Sequence, residues 1–174
     1  QTFLTWHDGE DSFGERPVFW AELRDYLRNT APKPSIIYRI YRDTKPINAA
    51  TVRNAALLDE VRPLSGFNVN SWSLERLVNQ TVFGNQDHGE LGVYGPFENW
   101  TPDSPQAGKL VIQRLAVEDA KPLPAGTGLY VHSAVMKEKA YYAVTIVRDG
   151  VETLSSFSAA NSLLEPVNEE PASW

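Results

Sequence analysis

The chain has 174 residues, enough to bury one complete hydrophobic core, and we expect a single domain with insertions. Its 22 acidic residues outnumber 16 basic ones, giving a net charge of −6, and no basic cluster occurs, so we expect no nucleic-acid partner. No apolar run approaches the ~20 residues of a membrane-spanning helix, so we expect no membrane insertion. Because cysteine is absent, disulfides, thiol nucleophiles and zinc–thiolate sites are excluded.

The chain opens with a predicted strand. QTFLTWHDGEDS (1–12) places Phe3 and Trp6 among threonines and then enters an acidic turn that contains glycine. We therefore expect Trp6 to belong to the core. The sequence begins at Gln1 within this strand, without an initiator methionine, and we expect a processed or excised start.

Two helices and one strand are predicted next. RPVFWAELRDYLRN (16–29) repeats apolar residues at helical spacing, and the prolines of the following APKP end the helix. SIIYRIYRDTKPI (35–47) alternates as a strand with one face in the core. NAATVRNAALLDEV (48–61) is rich in alanine and leucine behind Asn48, a favourable N-cap residue, and predicts a second helix.

Residues 64–108 show no sustained period. Long irregular segments in compact domains are often functional, so we expect site residues there. Exposed aromatic rings can stack on sugars, which gives a candidate carbohydrate site. The residues of this candidate site are Trp72, Tyr94, Phe97 and Trp100. The alternative is that these rings pin the long segment onto the fold.

Two acidic stretches are candidate metal sites. QDHGEL supplies Asp87, His88 and Glu90, which are metal ligands or acid–base groups by type. A polar surface loop is the alternative, since metal sites normally draw ligands from several segments. HDGEDS (7–12) lacks the ligand order of an EF-hand, but its carboxylate and carbonyl oxygens offer a looser calcium site.

A β pattern returns in the last third of the chain. KLVIQRLAV, LYVHSAV, AYYAVTIV and VETLSSFSAAN predict four strands, and Asp149-Gly150 predicts a tight hairpin between the last two. His132 and Ser133 are neighbours in a strand and face opposite sides, so they form no direct dyad. We therefore expect His132 to be structural.

Three segments resemble fibronectin type III modules of the immunoglobulin-like sandwich class. TFLTWHD is similar to the family's second strand, IIYRIYRDTKPI to its third, and AYYAVTIVRDGVET to its sixth strand, turn and seventh strand. The resemblance implies that Tyr141 or Tyr142 takes the place of the family's characteristic tyrosine. That tyrosine has a buried ring, and its hydroxyl bonds to backbone near the preceding turn.

The expected fold is therefore mainly β, an immunoglobulin-like (fibronectin type III-like) β-sandwich with helical and irregular insertions. The predicted single domain covers residues 1–163, with insertions at about 10–34 and 48–108. Residues 164–174 are rich in proline and glutamate and predict a linker-like tail.

The functional expectation is a non-catalytic structural or interaction module of a secreted or cell-surface multidomain protein, with an accessory role beside a hydrolase. This follows from the resemblance to modules of large exported bacterial proteins, and no coherent catalytic set such as GxSxG is found. The expected partners are adjacent domains of a parent chain, another protein, or carbohydrate. No cofactor is expected apart from calcium.

Two alternatives remain open at this point. One is a carbohydrate-binding module that uses the aromatic residues of 64–108. The other is a small metal-dependent hydrolase centred on Asp87, His88 and Glu90, which requires His7 or His132 to approach that loop.

Overall fold

The computed structural model describes residues 1–19, 22–23, 25–26, 29, 35–67, 111–112, 114–117 and 121–171. This part of the chain is mainly β, as expected. Its strands are β1 (Thr2–His7), β2 (Val18–Phe19), β3 (Ile36–Asp43), β4 (Ala56–Val61), β5 (Val111–Ile112), β6 (Thr127–His132), β7 (Glu138–Arg148), β8 (Val151–Glu152) and β9 (Val167–Glu169). A 3₁₀ helix spans Val52–Asn54. Within the described residues, no helix is long and apolar enough to cross a bilayer.

The chain divides into two compact units. Unit 1 comprises residues 1–8, 34–63 and 128–174, and unit 2 comprises residues 9–33 and 64–127. Almost all of the insertion predicted at 10–34 belongs to unit 2. The insertion predicted at 48–108 is shared, because its first sixteen residues belong to unit 1.

Unit 1 contains an antiparallel sheet of five strands. Strands β4, β3, β7 and β8 lie side by side in that order, and β9 pairs with the other end of β7. Strands β3 and β7 pair along the whole of β3, from Ile36 opposite Arg148 to Asp43 opposite Tyr141. The alternating sequences of both strands are therefore confirmed as strands.

The predicted hairpin after β7 is confirmed. Arg148 pairs with Val151 across a two-residue turn. Both turn residues have positive φ, 48° at Asp149 and 81° at Gly150, and such turns match the twist of the flanking strands. Glycine takes this conformation without the steric penalty of a side chain.

The helix predicted over residues 48–61 is wrong. Asn48 does cap a turn, since its Oδ1 accepts hydrogen bonds from the backbone N–H groups of Ala50 (2.9 Å) and Thr51 (3.2 Å). Only the single 3₁₀ turn follows, and residues 56–61 form β4. This segment pairs with the edge of β3, and that tertiary pairing overrides the helical propensity of its alanines and leucines.

Part of the predicted linker-like tail belongs to the sheet. Within residues 164–174, β9 pairs with the start of β7, with Glu138 opposite Glu169. The side chain of Glu169 is fully buried. The prediction of a linker from the proline and glutamate content thus missed strand β9, in which Glu169 lies in the interior.

The main core of unit 1 lies between β1 and one face of the five-stranded sheet. Leu4 and Trp6 of β1 pack against Tyr38 and Ile40 of β3 and against Tyr142 of β7. These residues recur at alternate positions, so each strand turns one face inward. The prediction that Trp6 belongs to the core is confirmed.

Strand β6 pairs with β1 and leaves room for the Trp6 ring. A Cβ atom on Gly128 would lie 2.3 Å from Cε2 of Trp6, so only glycine fits at this position. The Trp6 ring also contacts the Tyr38 ring, with 5.4 Å between the centroids. The other face of the five-stranded sheet carries a smaller core of Tyr41, Ile47, Val52 and Ala143.

Unit 2 contains a second pair of strands. Val18 of β2 lies opposite Ile112 of β5, and Phe67 forms an isolated bridge with Arg114. The helix predicted over residues 16–29 is confirmed in part. Its described residues from 22 onward are helical, whereas residues 18–19 form β2.

Candidate functional site

The seven site residues predicted in the 64–108 segment lie outside the described residues. They are Trp72, Tyr94, Phe97 and Trp100 of the carbohydrate site and Asp87, His88 and Glu90 of the metal site. Both sites stay predictions. The described residues contain polar clusters and cavities that are candidates for a functional site.

The two buried acids of the 7–12 loop have protein partners. Asp8 accepts a hydrogen bond of 2.9 Å from the Tyr38 hydroxyl within unit 1. In unit 2, Asp11 accepts two hydrogen bonds from Nη2 of Arg114 (2.9 and 3.0 Å) and one from the backbone N–H of Gly126 (2.9 Å). Among the described residues, no three His, Asp or Glu side chains are grouped to hold a metal ion. The calcium site stays a prediction.

The largest charged group of unit 1 surrounds Glu169, and we call it the Glu169 cluster: Arg42, His132, Glu138, Tyr142 and Glu169. Nε of Arg42 donates to both carboxylate oxygens of Glu169 (3.2 and 3.3 Å), and its Nη2 donates to Oε2 (2.5 Å). The same Nη2 also donates to Glu138 (2.5 Å). Tyr142 donates its hydroxyl proton to Oε1 of Glu169, and His132 Nε2 lies 3.9 Å from that oxygen.

These contacts engage both oxygens of the Glu169 carboxylate within the chain. The hydrogen bond to Glu169 holds the pKa of Arg42 above its usual value, and the second bond to Glu138 adds to the shift. Glu169 has no exposed side-chain surface, so a substrate in solvent cannot reach it. His132 packs against the Tyr142 ring, with 6.0 Å between the ring centroids and 62° between the ring planes.

The double tyrosine of β7 differs from the expectation in one respect. The ring of Tyr142 is buried, as predicted for one of the pair. Its hydroxyl, however, donates to the Glu169 carboxylate rather than to backbone near the preceding turn. A buried acid on β9 provides a stronger, charge-assisted acceptor at this position.

A second polar cluster surrounds Glu152 beside the smaller core. The carboxylate accepts hydrogen bonds from Arg39 Nη1 (2.6 Å), the Tyr41 hydroxyl (2.7 Å) and the Thr145 hydroxyl (2.5 Å). Burial alone would raise the pKa of Glu152, but these bonds outweigh it and leave the pKa below its usual value. Burial and the bond to Glu152 raise the pKa of Tyr41. The three donors therefore hold Glu152 in its charged form.

A cavity of about 390 Å³ opens beside Trp6, and we call it the Trp6 pocket. Its apolar lining includes Trp6 and Tyr38 from the core, with Val144 and Ile146 of β7. His7 at the end of β1 and Arg148 at the end of β7 also line it, and both are exposed. A mostly apolar cavity of this size with a few polar groups is typical of small-molecule sites.

Asn161 holds one wall of the Trp6 pocket. Its Nδ2 donates to the carbonyl oxygens of Ser156 (2.9 Å) and Val144 (3.3 Å), and its Oδ1 accepts from the backbone N–H of Ser158 (2.9 Å). These bonds fix residues 156–161 next to β7. A smaller cavity of about 90 Å³ shares Trp6 and Asn161 with the pocket.

Sequence patterns alone did not indicate the Trp6 pocket. Trp6 and Tyr38 alternate as core residues, and they are core residues by burial. The pocket exists because residues 154–160 leave the edge of β7 after Thr153 and return at Asn161, and no periodic signal marks this excursion. Comparisons of the chain with family models, curated proteins and solved structures found no match.

Proposed function

We propose that unit 1 is an immunoglobulin-like, fibronectin type III-like β-sandwich and that the chain is a non-catalytic interaction module of a secreted or cell-surface multidomain protein. The observation that carries the proposal is the strand order. In immunoglobulin-like sandwiches, strands C′, C, F and G are neighbours in one sheet, and B and E belong to the other. The order β4-β3-β7-β8 and the separate pair β1-β6 agree with that arrangement.

The charged groups of unit 1 support a non-catalytic function. Glu169 and Glu152 each accept hydrogen bonds from an arginine and from at least one hydroxyl group. Catalytic acids and bases need access to the substrate and a spare proton-transfer partner. In both clusters the carboxylate is already engaged by its own chain.

Exposed apolar side chains on the β1–β6 strand pair support an interaction surface. Phe3 of β1 is 47% exposed, and Val131 of β6 is 38% exposed. Both lie at positions that alternate with the inward-facing Trp6 and Gly128, so they face away from the core. Val135 and Met136, just after β6, are exposed as well. A binding partner or an adjacent domain would remove this apolar surface from water.

An NMR structure of the chain tests the proposed sandwich. We expect the α-protons of Gly128 to be shifted upfield by the Trp6 ring, and nuclear Overhauser contacts from that ring to Tyr38. A structure in which β1 joins the β3–β7 sheet directly would contradict the proposal. The coding region tests the multidomain, exported context. We expect an export signal and further domains in the reading frame, and their absence would refute that part.

A further inference from the structure

The charges at the Trp6 pocket indicate what it binds. Arg148 and His7 both line the cavity, and among the residues that the structure describes no aspartate or glutamate does. Arg39 and Arg42 of the same sheet each have two carboxylate partners. Arg148, by contrast, forms no ion pair with any other residue that the structure describes. A guanidinium group pairs with a carboxylate through two parallel hydrogen bonds, and His7 adds a further ring N–H.

The remaining lining favours an apolar group behind that carboxylate. Trp6, Tyr38, Val144 and Ile146 offer ring and aliphatic surfaces to a molecule inside the cavity. The volume of about 390 Å³ is near the lower end of the range for small-molecule sites. A single aromatic ring or a short aliphatic chain is therefore the best fit.

Trp6 supplies a spectroscopic probe of the pocket. Its indole Nε1 is buried, and among the described residues it has no hydrogen-bond acceptor. This nitrogen has almost no solvent-accessible surface, and a Cβ on Gly128 would lie 2.5 Å from it, so it packs against Gly128 rather than facing a ligand. The Trp6 ring nevertheless lines the cavity, so its indole resonance can report on binding there. Trp6 as a whole is more than nine-tenths buried.

We propose that the Trp6 pocket is a binding site for the carboxylate of a small apolar acid, with Arg148 and His7 as the anion ligands. The inference goes beyond the proposed function, since it does not depend on how the sandwich is classified. A carboxylate next to an apolar group occurs both in free organic acids and at the C-terminus of a peptide that ends in an apolar residue. The test separates these two sources.

The experiment is a titration of the ¹⁵N-labelled chain, followed by the indole N–H resonance of Trp6. The probes are phenylacetate, its neutral isostere phenylacetamide, and the peptide Ala-Ala-Phe with a free or an amidated C-terminus. We expect saturable shifts with both acids and about tenfold weaker binding of both amides, because a charge-assisted bond is lost. Tighter binding of phenylacetate assigns the site to free acids, and tighter binding of the peptide assigns it to peptide C-termini.

Two variants and a control locate the binding site. We expect Arg148→Met to weaken acid binding about tenfold, because it removes the guanidinium group and keeps the aliphatic stem. Ala160→Phe should abolish binding, since Ala160 is exposed at the pocket and a ring there fills the cavity. Arg53→Met is the control, since Arg53 is also exposed but lies in the 3₁₀ helix away from the pocket lining.

Both variants change exposed residues, and an unchanged dispersion of the amide spectrum confirms their fold. Equal affinity for acids and amides would overturn the proposal, as would equal losses in Arg148→Met and Arg53→Met. The absence of any Trp6 shift at probe concentrations up to about 10 mM, where even weak sites fill, would overturn it as well.

Discussion

Replacing Glu169 by glutamine tests whether the charge of the Glu169 cluster stabilises unit 1. Glutamine keeps the shape of the side chain and can still accept one hydrogen bond from Tyr142. It removes the negative charge that faces Arg42, whose side chain is only 17% exposed. The variant therefore separates charge from packing.

The expected loss follows from the partners that remain. Removing one member of a buried ion pair destabilises a protein by about 3–5 kcal/mol. Arg42 keeps its second partner, Glu138, so we expect the lower end, about 3 kcal/mol. For a chain of this size that loss lowers the midpoint of thermal unfolding by about 6–12 °C.

The assay is thermal and urea unfolding at neutral pH, followed by circular dichroism. Glu170→Gln is the matched control, because Glu170 is the next residue and pairs with Lys137 at 2.6 Å. Both of these side chains are well exposed, so the control should leave the midpoint unchanged. If Glu169→Gln is no less stable than Glu170→Gln, the charge of the Glu169 cluster does not stabilise unit 1.

Three further predictions concern other parts of the chain. Gly128→Ala should lower the free energy of unfolding by about 1–3 kcal/mol, because the added methyl group collides with Trp6. Gly9→Ala is the control, since a Cβ there meets no atom within 4 Å, and it should be nearly neutral in the same unfolding assay. The pKa of Glu152 is lower in the folded chain than its usual 4.5, so its stabilising contribution is complete above that pH and is lost as the pH falls through the lower value. When the free energy of unfolding is measured against pH, Glu152→Gln should therefore lose less stability on acidification than the parent chain. Parallel curves for the two proteins would refute the lowered pKa of Glu152. Arg114→Met should destabilise unit 2 by about 3 kcal/mol, since it leaves a buried carboxylate unpaired; a change below 1 kcal/mol would argue against that pair.

The sequence predicted those elements whose signal is local. The alternation of apolar residues in β3 and β7 follows from the two faces of a strand, and the turn at Asp149-Gly150 follows from its positive φ angles. Trp6 was assigned to the core for the same kind of reason. None of these inferences required knowledge of a distant segment.

The elements that sequence patterns missed depend on distant partners. Strand β4 exists because β3 offers it an edge, although its own residues favour a helix. Strand β9 lies in a segment rich in proline and glutamate, and its buried acid is stable only because Arg42 and Tyr142 meet it. From composition alone, such an acid is expected at the protein surface. Only the fold shows that Arg42 is its counter-ion.

The candidate site was missed for a related reason. The Trp6 pocket needs an excursion of residues 154–160 away from β7, and Asn161 holds the returning chain through hydrogen bonds to backbone. Irregular segments of this kind have no period from which a cavity could be deduced. The exposed Arg148 at the pocket is equally ordinary in sequence, since most arginines lie at the surface.

The pairing of Arg42 with Glu169 also has a consequence for biosynthesis. The two residues are separated by 127 positions, so a ribosome that adds about 5–20 residues per second needs roughly 6–25 s between them. Throughout that interval the Arg42 side chain of β3 lacks its interior acid, and β7, once it has been synthesised, lacks its β9 neighbour until the interval ends. We expect the nascent chain to rely on chaperones during this time, and to become resistant to proteases only when residues 167–169 have been added.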